Sequence, residues 1–427
     1  MKRTVLAACF GWLFSAVDIV LLLLFQHSIA VSFGTDVKNI GAVIAAGSLG
    51  SAVGGIAFAQ LGDRYGRVRA LGWSIILYSL ATAGMALSPG VAVLALMRFI
   101  SGIGTGGEWS LGFALIAEVS PRTGRGRLGG LVAAMFNVGT FLAILLFQAN
   151  LGWRVAFGAM ALPALGVLVL RLTVPESPVW LALQEARRKG EVDPALEANF
   201  QRPPIALLFR GRLLGPTLKT TLIFTLMNFA FFGFSTTFMR YLQEPAAAGA
   251  LGLERAAQAP FQFTLNLASL ISAIVAGAAS DRIGRRLSFS LFCLLGCSGS
   301  LALFLVTRGA SGGVPAGLLP IFAAITCGYG INGVIGTITS EIFPTHLRAT
   351  GPGFCQNIGK GLGGAAGPIL AGVLVARFAY PFALSISGVV LLLLAALIWT
   401  LPAVDGREVR AVEDEGYLAA RGAILKS

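Results

Sequence analysis

The stretch GDRYGR at positions 62–67 returns as SDRIGR at positions 280–285, and each copy lies between two long apolar stretches. Both copies place an aspartate and an arginine before a glycine and end on a second arginine. A charged, glycine-containing segment that recurs near the middle of each half indicates a membrane protein built by duplication. The duplication predicts the architecture, and it makes each charge buried elsewhere in an apolar segment a candidate for chemistry.

The overall composition is that of a membrane protein. Hydrophobic residues form 56% of the chain, charged residues form 12%, and the mean hydropathy is +0.80. Apolar runs of about twenty residues recur along the chain, each long enough to cross a bilayer as a helix. The runs lack the alternation that a transmembrane barrel needs, so helices are expected. The net charge of +13 does not indicate a nucleic acid partner, because the basic residues lie in short loops between the apolar runs.

Twelve helical spans are predicted, in two pseudo-symmetric bundles of six. They are expected at 5–33, 38–61, 70–88, 91–119, 128–149, 153–174, 216–243, 259–279, 287–307, 315–342, 349–375 and 381–401. The polar connection between the sixth and seventh spans divides the chain. The predicted domains are an N-terminal six-helix bundle at 1–174, a cytoplasmic linker at 175–215, a C-terminal six-helix bundle at 216–402 and a cytoplasmic tail at 403–427.

The orientation in the membrane is predicted from the distribution of lysine and arginine between the loops. One set of loops, together with both termini and the linker, holds most of the basic residues. The opposite loops hold only Lys38, Arg154, Arg240, Arg255, Arg308 and Arg377. Both termini and the linker are therefore expected in the cytoplasm, which agrees with an even number of spans.

Two further landmarks repeat between the halves. The pattern E-x-x-P-x-x-x-R occurs at 118–125 and at 341–348, and an Asn-x-Gly tripeptide begins at Asn137 and at Asn357. From 62 to 280, from 118 to 341 and from 137 to 357, the offsets are 218, 223 and 220 residues. Chance would rarely keep three landmarks so nearly in register. Parallel six-span halves place the substrate near the middle of the bilayer, between the repeats.

Taken together, these motifs resemble those of the major facilitator superfamily over the whole chain. The segment 62–67 is similar to the signature between its second and third helices, and 281–286 is similar to the weaker second copy. RFISGIG at 98–104 resembles the signature of the fourth helix. PESPVWL at 175–181 resembles the sequence that ends the sixth helix in sugar porters and metabolite symporters. The resemblance implies the major facilitator fold, an all-α membrane protein that transports by alternating access.

Two more stretches resemble particular branches of this superfamily. GGEW at 106–109 and FPTHLRATGPGF at 343–354 are similar to the metabolite, aromatic-acid and sialate/lactate proton symporter branches. Members of these branches mostly carry small organic anions together with protons. Aromatic-acid symporters usually have two acids close together in the first helix, whereas this chain has Asp18 alone. This departure favours the sialate/lactate-like branch.

Four ionisable residues lie deep within the predicted spans: Asp18, Arg98, Glu108 and Lys360. Asp18 is expected to bind and release a proton, or else to form a permanent ion pair with Arg98. Glu108 is a second candidate for proton coupling, or a structural group that pairs with Lys360 or another polar residue. Arg98 is expected to attract a substrate carboxylate or to pack against nearby backbone. The family resemblance implies a third role for Arg98, the tuning of a proton site.

The remaining substrate-binding candidates are a second cation and four amides. Lys360 is expected to act as a second anion ligand or as one partner of a gating ion pair. The amides are Asn137, Asn228, Gln356 and Asn357. Each amide is interpreted either as a substrate ligand or as a group that holds neighbouring helices together.

The repeated motif residues lie too near the cytoplasmic surface to hold substrate. An acid at a helix boundary can cap the N-terminus of a neighbouring helix. The family resemblance implies this role for Asp63, with Arg67 and Glu118, and for the matching residues of the second half. A role in membrane topology alone would explain the arginines but not the aspartates. The predicted gating residues are Gly62, Asp63, Arg64, Gly66, Arg67, Glu118, Asp281, Arg282, Gly284, Arg285, Glu341 and Arg348.

The sequence predicts a secondary active transporter rather than an enzyme. The expected activity is proton-coupled symport of a small organic anion, such as lactate, pyruvate or a sialate-like acid. The alternative is transport of a sugar or other neutral metabolite. No cofactor and no metal site are expected. The predicted protein is a functional monomer in a plasma membrane, and the resemblance implies the bacterial inner membrane. Its expected partners are the anion, the proton and the lipid bilayer.

Overall fold

The computed structural model describes residues 2–121, 124–149, 151–190, 197, 203–245, 250–307 and 318–402, and this part of the chain is helical with no strands. The first half contains six long helices. They are α1 (Lys2–Ser32), α2 (Val37–Tyr65), α3 (Arg67–Ala86), α4 (Val91–Val119), α5 (Arg125–Gln148) and α6 (Trp153–Leu172). In the described part of the connection between the halves lie two short helices, α7 (Pro178–Arg188) and α8 (Pro204–Leu208).

The second half follows the same plan. Its helices are α9 (Leu214–Gln243), α10 (Arg255–Ile283), α11 (Arg285–Thr307), α12 (Leu318–Cys327), α13 (Asn332–Ile342), α14 (Thr350–Phe378) and α15 (Tyr380–Leu397). A 3₁₀ turn at Gly328–Ile331 joins α12 to α13, so that these two helices cross as one segment. The proposed domain boundaries stay a prediction, and the tail at 403–427 lies outside the described residues.

Eleven helical segments in the described part of the chain are long and apolar enough to cross a membrane. The remaining long helix, α6, has 20 residues and matches the sixth predicted span. The prediction of an all-α membrane fold is confirmed. The span ends differ from the predicted ones by a few residues, because hydropathy marks the apolar core of a helix but not its polar ends.

The largest of these differences concerns the repeated motif, which the sequence analysis treated as a loop. Gly62, Asp63 and Arg64 are residues of α2, and Gly66 alone separates α2 from α3. Likewise, Gly284 alone separates α10 from α11. The φ angles of these glycines are 111° and 90°, a region that costs little only for glycine. One residue therefore reverses the chain, and the motif side chains are held on rigid helices.

Within each half, glycines let two helix backbones approach closely. In the first half, α2 packs on α4, and a methyl group at Gly54 would overlap the backbone of Ile103. In the second half, α9 packs on α14, and a methyl group at Gly363 would overlap the carbonyl of Thr225. Such close contacts stabilise helix packing by van der Waals attraction, because the hydrophobic effect contributes little to helix association within the lipid bilayer.

The two halves meet along two equivalent pairs of helices. Helix α2 lies against α14, where a methyl group at Gly353 would come 2.8 Å from Ala59 Cβ. Helix α5 lies against α10, where a methyl group at Gly130 would come 3.1 Å from Gly277 Cα. We call the end of the bundle that carries Gly66 and Gly284 the motif end.

Candidate functional site

A buried ion pair lies inside the first half. Asp18 of α1 accepts a charge-assisted hydrogen bond from Arg98 Nη1 of α4. Asp18 also accepts hydrogen bonds from Thr82 of α3 and from Ser101 of α4, each at 3.1 Å. Asp18 and Arg98 are only 1% and 6% exposed. Three donors from two neighbouring helices therefore satisfy this buried carboxylate.

The environment of Arg98 explains how its long side chain fits between tightly packed helices. Gly47 of α2 lies against it, and a methyl group there would overlap the guanidinium nitrogen Nε. The same nitrogen is buried without a hydrogen-bond partner. Only Nη1 is engaged by Asp18 in the described part of the chain, so the guanidinium retains unused donor capacity.

Arg98 lies on the face of α4 that is turned toward the second half. Eleven residues separate it from Trp109, which at about 100° per residue places both on nearly the same side of the helix. The Trp109 ring meets Phe224 of α9 edge to face, with centroids 5.4 Å apart. Arg98 therefore lies on the side of α4 that faces the interface between the halves.

Lys360 lies on the opposite wall of this interface. Seven residues separate it from Gly353, so both lie on nearly the same face of α14, and Gly353 packs against α2. Lys360 is half-buried, and Arg98 is close enough to repel it electrostatically. Among the described residues, no carboxylate forms an ion pair with Lys360.

Glu108 lies on a different side of α4 from Arg98. Its carboxylate accepts a hydrogen bond from Ser74 of α3 at 3.2 Å. Glu108 directly precedes Trp109, so it lies about 100° away from the interface-facing side of α4. The contact with Ser74 agrees with the expected pairing with another polar residue, and the pairing with Lys360 stays a prediction.

The predicted amide ligands are distributed along the interface. Asn228 and Asn357 each donate the amide Nδ2 to the carbonyl four residues earlier in their own helix, at 2.8 Å. Asn357 also fills the space beside Gly55 of the other half. The backbone carbonyl of Asn137 accepts a hydrogen bond from Asn266 of α10 at 3.2 Å. Asn266 was missed by the sequence analysis, since a single amide in an apolar span carries no motif.

Gln356 is half-buried on α14, next to Asn357 in sequence. Thr82 and Ser101 were also missed, although Ser101 follows Arg98 by three residues and so shares its helix face. Hydroxyl groups are common in these apolar spans. Many of them donate to their own helix, which leaves no sequence signal for the two that reach Asp18.

At the motif end, the first copy of the repeated motif joins the two halves. Asp63 accepts hydrogen bonds from the backbone N–H groups of Ala349 and Thr350, at 3.2 and 2.8 Å, and from Thr350 Oγ1 at 2.6 Å. It thereby caps α14 of the second half. Arg67 pairs with Asp63 and Glu118, at 3.1 Å each, and donates to the Thr345 carbonyl at 2.6 Å.

The second copy repeats this arrangement in the reverse direction. Asp281 accepts hydrogen bonds from Gly126 and Arg127, at 2.9 and 2.8 Å, and so caps α5 of the first half. Arg285 pairs with Asp281 at 2.6 Å and with Glu341 at 3.4 Å.

Two further arginines complete the networks at the motif end. Arg125 pairs with Glu341 at 3.3 Å, and Arg348 pairs with Glu118 at 3.4 Å, so each arginine meets an acid of the opposite half. Arg64 and Arg282 are exposed, and the structure brings neither into the networks. The other predicted gating side chains do come together, while Gly62 packs beside Leu111.

The segment that follows α6 covers the first copy. The Glu176 carboxylate accepts a hydrogen bond from the backbone N–H of Val68 in the first turn of α3, with both oxygens at 3.1 Å. Trp180 donates its indole N–H to the Asp63 carbonyl at 3.0 Å. Ser177 caps α7 by accepting from the Trp180 N–H at 3.2 Å. The sequence analysis noted this stretch for its resemblance but did not predict these contacts.

Comparison with known proteins identifies the class to which this fold and site belong. The sequence pattern of the Major Facilitator Superfamily matches residues 6–359 and 267–426, and the chain belongs to this family. It is similar to a putative metabolite transport protein of Haemophilus influenzae, with 26% identity over 95% of this chain and 97% of the relative. It is also similar to the sialic acid transporter NanX of Escherichia coli, with 26% identity over 87% of each chain.

The solved structures agree at the level of the fold. The proton:xylose symporter XylE, bound to 6-bromo-6-deoxy-D-glucose, superposes with a TM-score of 0.77 at 21% identity, over 96% of this chain and 98% of that chain. The protein is therefore a multi-pass membrane transporter of small metabolites rather than an enzyme. The predicted family is confirmed.

Proposed function

We propose that this protein is a symporter that moves a small organic anion together with protons by alternating access. The observation that carries the proposal is the charge at the interface of the halves. Arg98 and Lys360 lie on the sides of α4 and α14 that are turned toward the interface, and Asp18 is the one carboxylate that pairs with either of them among the described residues. A site with more positive than negative charge attracts an anion.

Substrate capture is assigned to the two cations. Arg98 holds Asp18 through Nη1 and keeps further donors, which suit the planar fork of a carboxylate. Lys360 supplies a second, more compact positive charge from α14. Asn137, Asn228, Gln356 and Asn357 lie on helices that border the same interface and offer amide oxygens for polar groups of the substrate.

Proton coupling is assigned to Asp18, with Glu108 as a second candidate. While Arg98 stays paired with Asp18, the guanidinium compensates the negative charge of the buried carboxylate. An anion that draws the guanidinium away removes part of this stabilisation in a buried setting. Asp18 then binds a proton, which links the arrival of substrate to the arrival of a proton.

Gating is assigned to the two motif networks. In the present conformation they close the motif end by ion pairs and by helix caps that cross between the halves. Rocking of the halves breaks both networks at once and opens this end. We place the motif end and both termini in the cytoplasm, because the loops there carry most of the lysines and arginines. The proposed location is the bacterial inner membrane, and the proposed unit is a monomer.

The test is uptake into proteoliposomes with an imposed pH gradient. Labelled lactate, pyruvate, sialate and benzoate are offered singly, in keeping with the sialic acid transporter among the relatives. Wild-type protein is expected to accumulate at least one acid against its gradient. Asp18→Asn is expected to abolish this uphill uptake while counterflow persists.

The matched control is Glu185→Gln, which also replaces a carboxylate by a carboxamide. Glu185 is an exposed residue of α7, away from the interface. This control is expected to behave as wild type. Uphill uptake that survives in Asp18→Asn would overturn the proton assignment. The neutral-sugar alternative is tested in the same vesicles, since uptake of xylose or glucose without uptake of any acid would support it instead.

A further inference from the structure

We infer that the preferred substrate is a dianion with two carboxylates, one bound by Arg98 of the first half and the other by Lys360 of the second half. This inference rests on the proposed function and specifies its substrate class. It depends on two features: the number of charges at the interface and their division between the halves.

The charge count differs between the two protonation states of Asp18. With Asp18 ionised, the three groups at the interface sum to one positive charge. With Asp18 protonated, as the proposed coupling requires of the loaded carrier, Arg98 and Lys360 leave two positive charges. Enclosing net charge away from water is costly, so the loaded site favours a ligand that brings it to neutrality. A monocarboxylate leaves one positive charge, whereas a dicarboxylate leaves none.

Nearby acids have other partners in the described part of the chain. Glu108 lies about 100° around α4 from the interface-facing side and accepts a hydrogen bond from Ser74 of α3. Asp63 and Glu118 are engaged with Arg67 at the motif end. On α14, the residues next to Lys360 in sequence are Gly359 and Gly361, which carry no charge.

The division of the cations between the halves favours a ligand with two charged ends. Arg98 lies on the side of α4 that it shares with Trp109, whose ring meets Phe224 of the second half. Lys360 lies on the side of α14 that it shares with Gly353, which packs against α2 of the first half. A single carboxylate bound to one cation leaves the other without a partner. Two carboxylates on one molecule satisfy both cations, and their connection draws the two halves together.

The experiment compares matched acids that differ by one carboxylate. Isophthalate is compared with benzoate, and trans,trans-muconate is compared with sorbate, by calorimetric titration of the purified full-length protein at pH 7. Each dicarboxylate is expected to bind about ten- to a hundredfold more tightly than its partner, the usual range for one added charged hydrogen bond. Counterflow in proteoliposomes is expected to show the same order.

Variants of Lys360 test whether this residue causes the preference for dicarboxylates. Lys360→Met is expected to reduce the preference for dicarboxylates to within about twofold, and Lys360→Arg is expected to restore most of it. Lys189→Met, at the exposed residue that directly follows α7, is the matched control and should keep the wild-type preference. Lys360→Arg retains the positive charge, so its preference for dicarboxylates distinguishes loss of the charge in Lys360→Met from failure of that variant to fold.

Two results would overturn the inference. One is wild-type protein that binds each monocarboxylate as tightly as its dicarboxylate, and the other is a full preference that persists in Lys360→Met. Proton-driven uptake of monocarboxylates without binding of dicarboxylates would overturn the inference alone and leave the proposed function intact. Absence of binding and uptake for both classes of acid would overturn both.

Discussion

The two copies of the repeated motif perform the same task in opposite directions, yet they are not equally enclosed. Asp63 of the first half caps α14 of the second, and Asp281 of the second half caps α5 of the first. The side chains of Asp63 and Arg67 are 1% and 0% exposed, whereas those of Asp281 and Arg285 are 7% and 8% exposed. The first copy is therefore the more deeply buried of two equivalent devices.

Two additional contacts account for this difference. Thr350 adds a hydroxyl donor to Asp63, while Asp281 receives its cross-half hydrogen bonds from backbone N–H groups only. The segment containing Glu176 and Trp180 also lies over the first copy. The connection between the halves occurs only once in the chain, and it adds contacts to the first copy of the motif. We expect the first copy to contribute more to closure of the motif end.

The largest effect is expected for Asp63→Ala. The substitution removes the cap of α14 and leaves the buried Arg67 with Glu118 as its remaining acidic partner. Loss of one partner from a buried pair costs about 3 kcal/mol, which corresponds to about a hundredfold shift toward the open motif end. The measurement is the alkylation rate of Ala59→Cys, which lies in the closed interface, in a background without the five native cysteines.

Arg64→Ala serves as the control for this prediction, because Arg64 is exposed and outside both networks. Its alkylation rate should equal that of the parent. A rate for Asp63→Ala within twofold of the parent would show that the first copy does not hold the motif end closed.

An intermediate effect is expected for Asp281→Ala. The change removes the cap of α5 and the closest partner of Arg285, which retains Glu341. Because this pair is less buried and Asp281 accepts one hydrogen bond fewer from the opposite half, the expected cost is about 1–2 kcal/mol. The same cysteine reporter measures it, with Arg282→Ala as the exposed control. An opening as large as that of Asp63→Ala would contradict the asymmetry.

The smallest effect is expected for Trp180→Phe, which keeps an aromatic ring and removes the hydrogen bond to the Asp63 carbonyl. The expected cost is about 1 kcal/mol. Since Trp180 acts on the first copy, its effect should add fully to that of Asp281→Ala but less than fully to that of Asp63→Ala. A double-mutant cycle with the reporter measures the difference. Full additivity of Trp180→Phe with both aspartate variants would show that Trp180 does not act through the first copy of the motif.

Sequence reasoning predicted the span positions well because apolar length alone sets them. It offered an ion pair between Asp18 and Arg98 as one of two alternatives, because charges within apolar spans are few. The network of Asp63 with Arg67 and Glu118 was implied by the family resemblance. The extension of α2 through Asp63 was not predicted, since a glycine in the left-handed region can end one helix and start the next within a single residue.

The missed contacts share a different cause. Thr82 reaches Asp18 from another helix, Asn266 reaches Asn137 from the other half, and Trp180 reaches Asp63 over a long separation in sequence. Each depends on how distant helices are rotated against each other, which a local pattern does not encode. The same reason explains Glu108, whose neighbour Trp109 faces the interface while Glu108 itself turns to α3.

The crossed aspartates also bear on how the two halves can be recombined. Each half supplies an acid to the other and presents a helix N-terminus that needs one in return. A chimera that joins the first half of this protein to the second half of a relative therefore has to match two sites at once: the start of α14 opposite Asp63, and the acid opposite the start of α5. Halves produced as separate chains carry the same two complementary sites, and these sites specify a single mutual orientation.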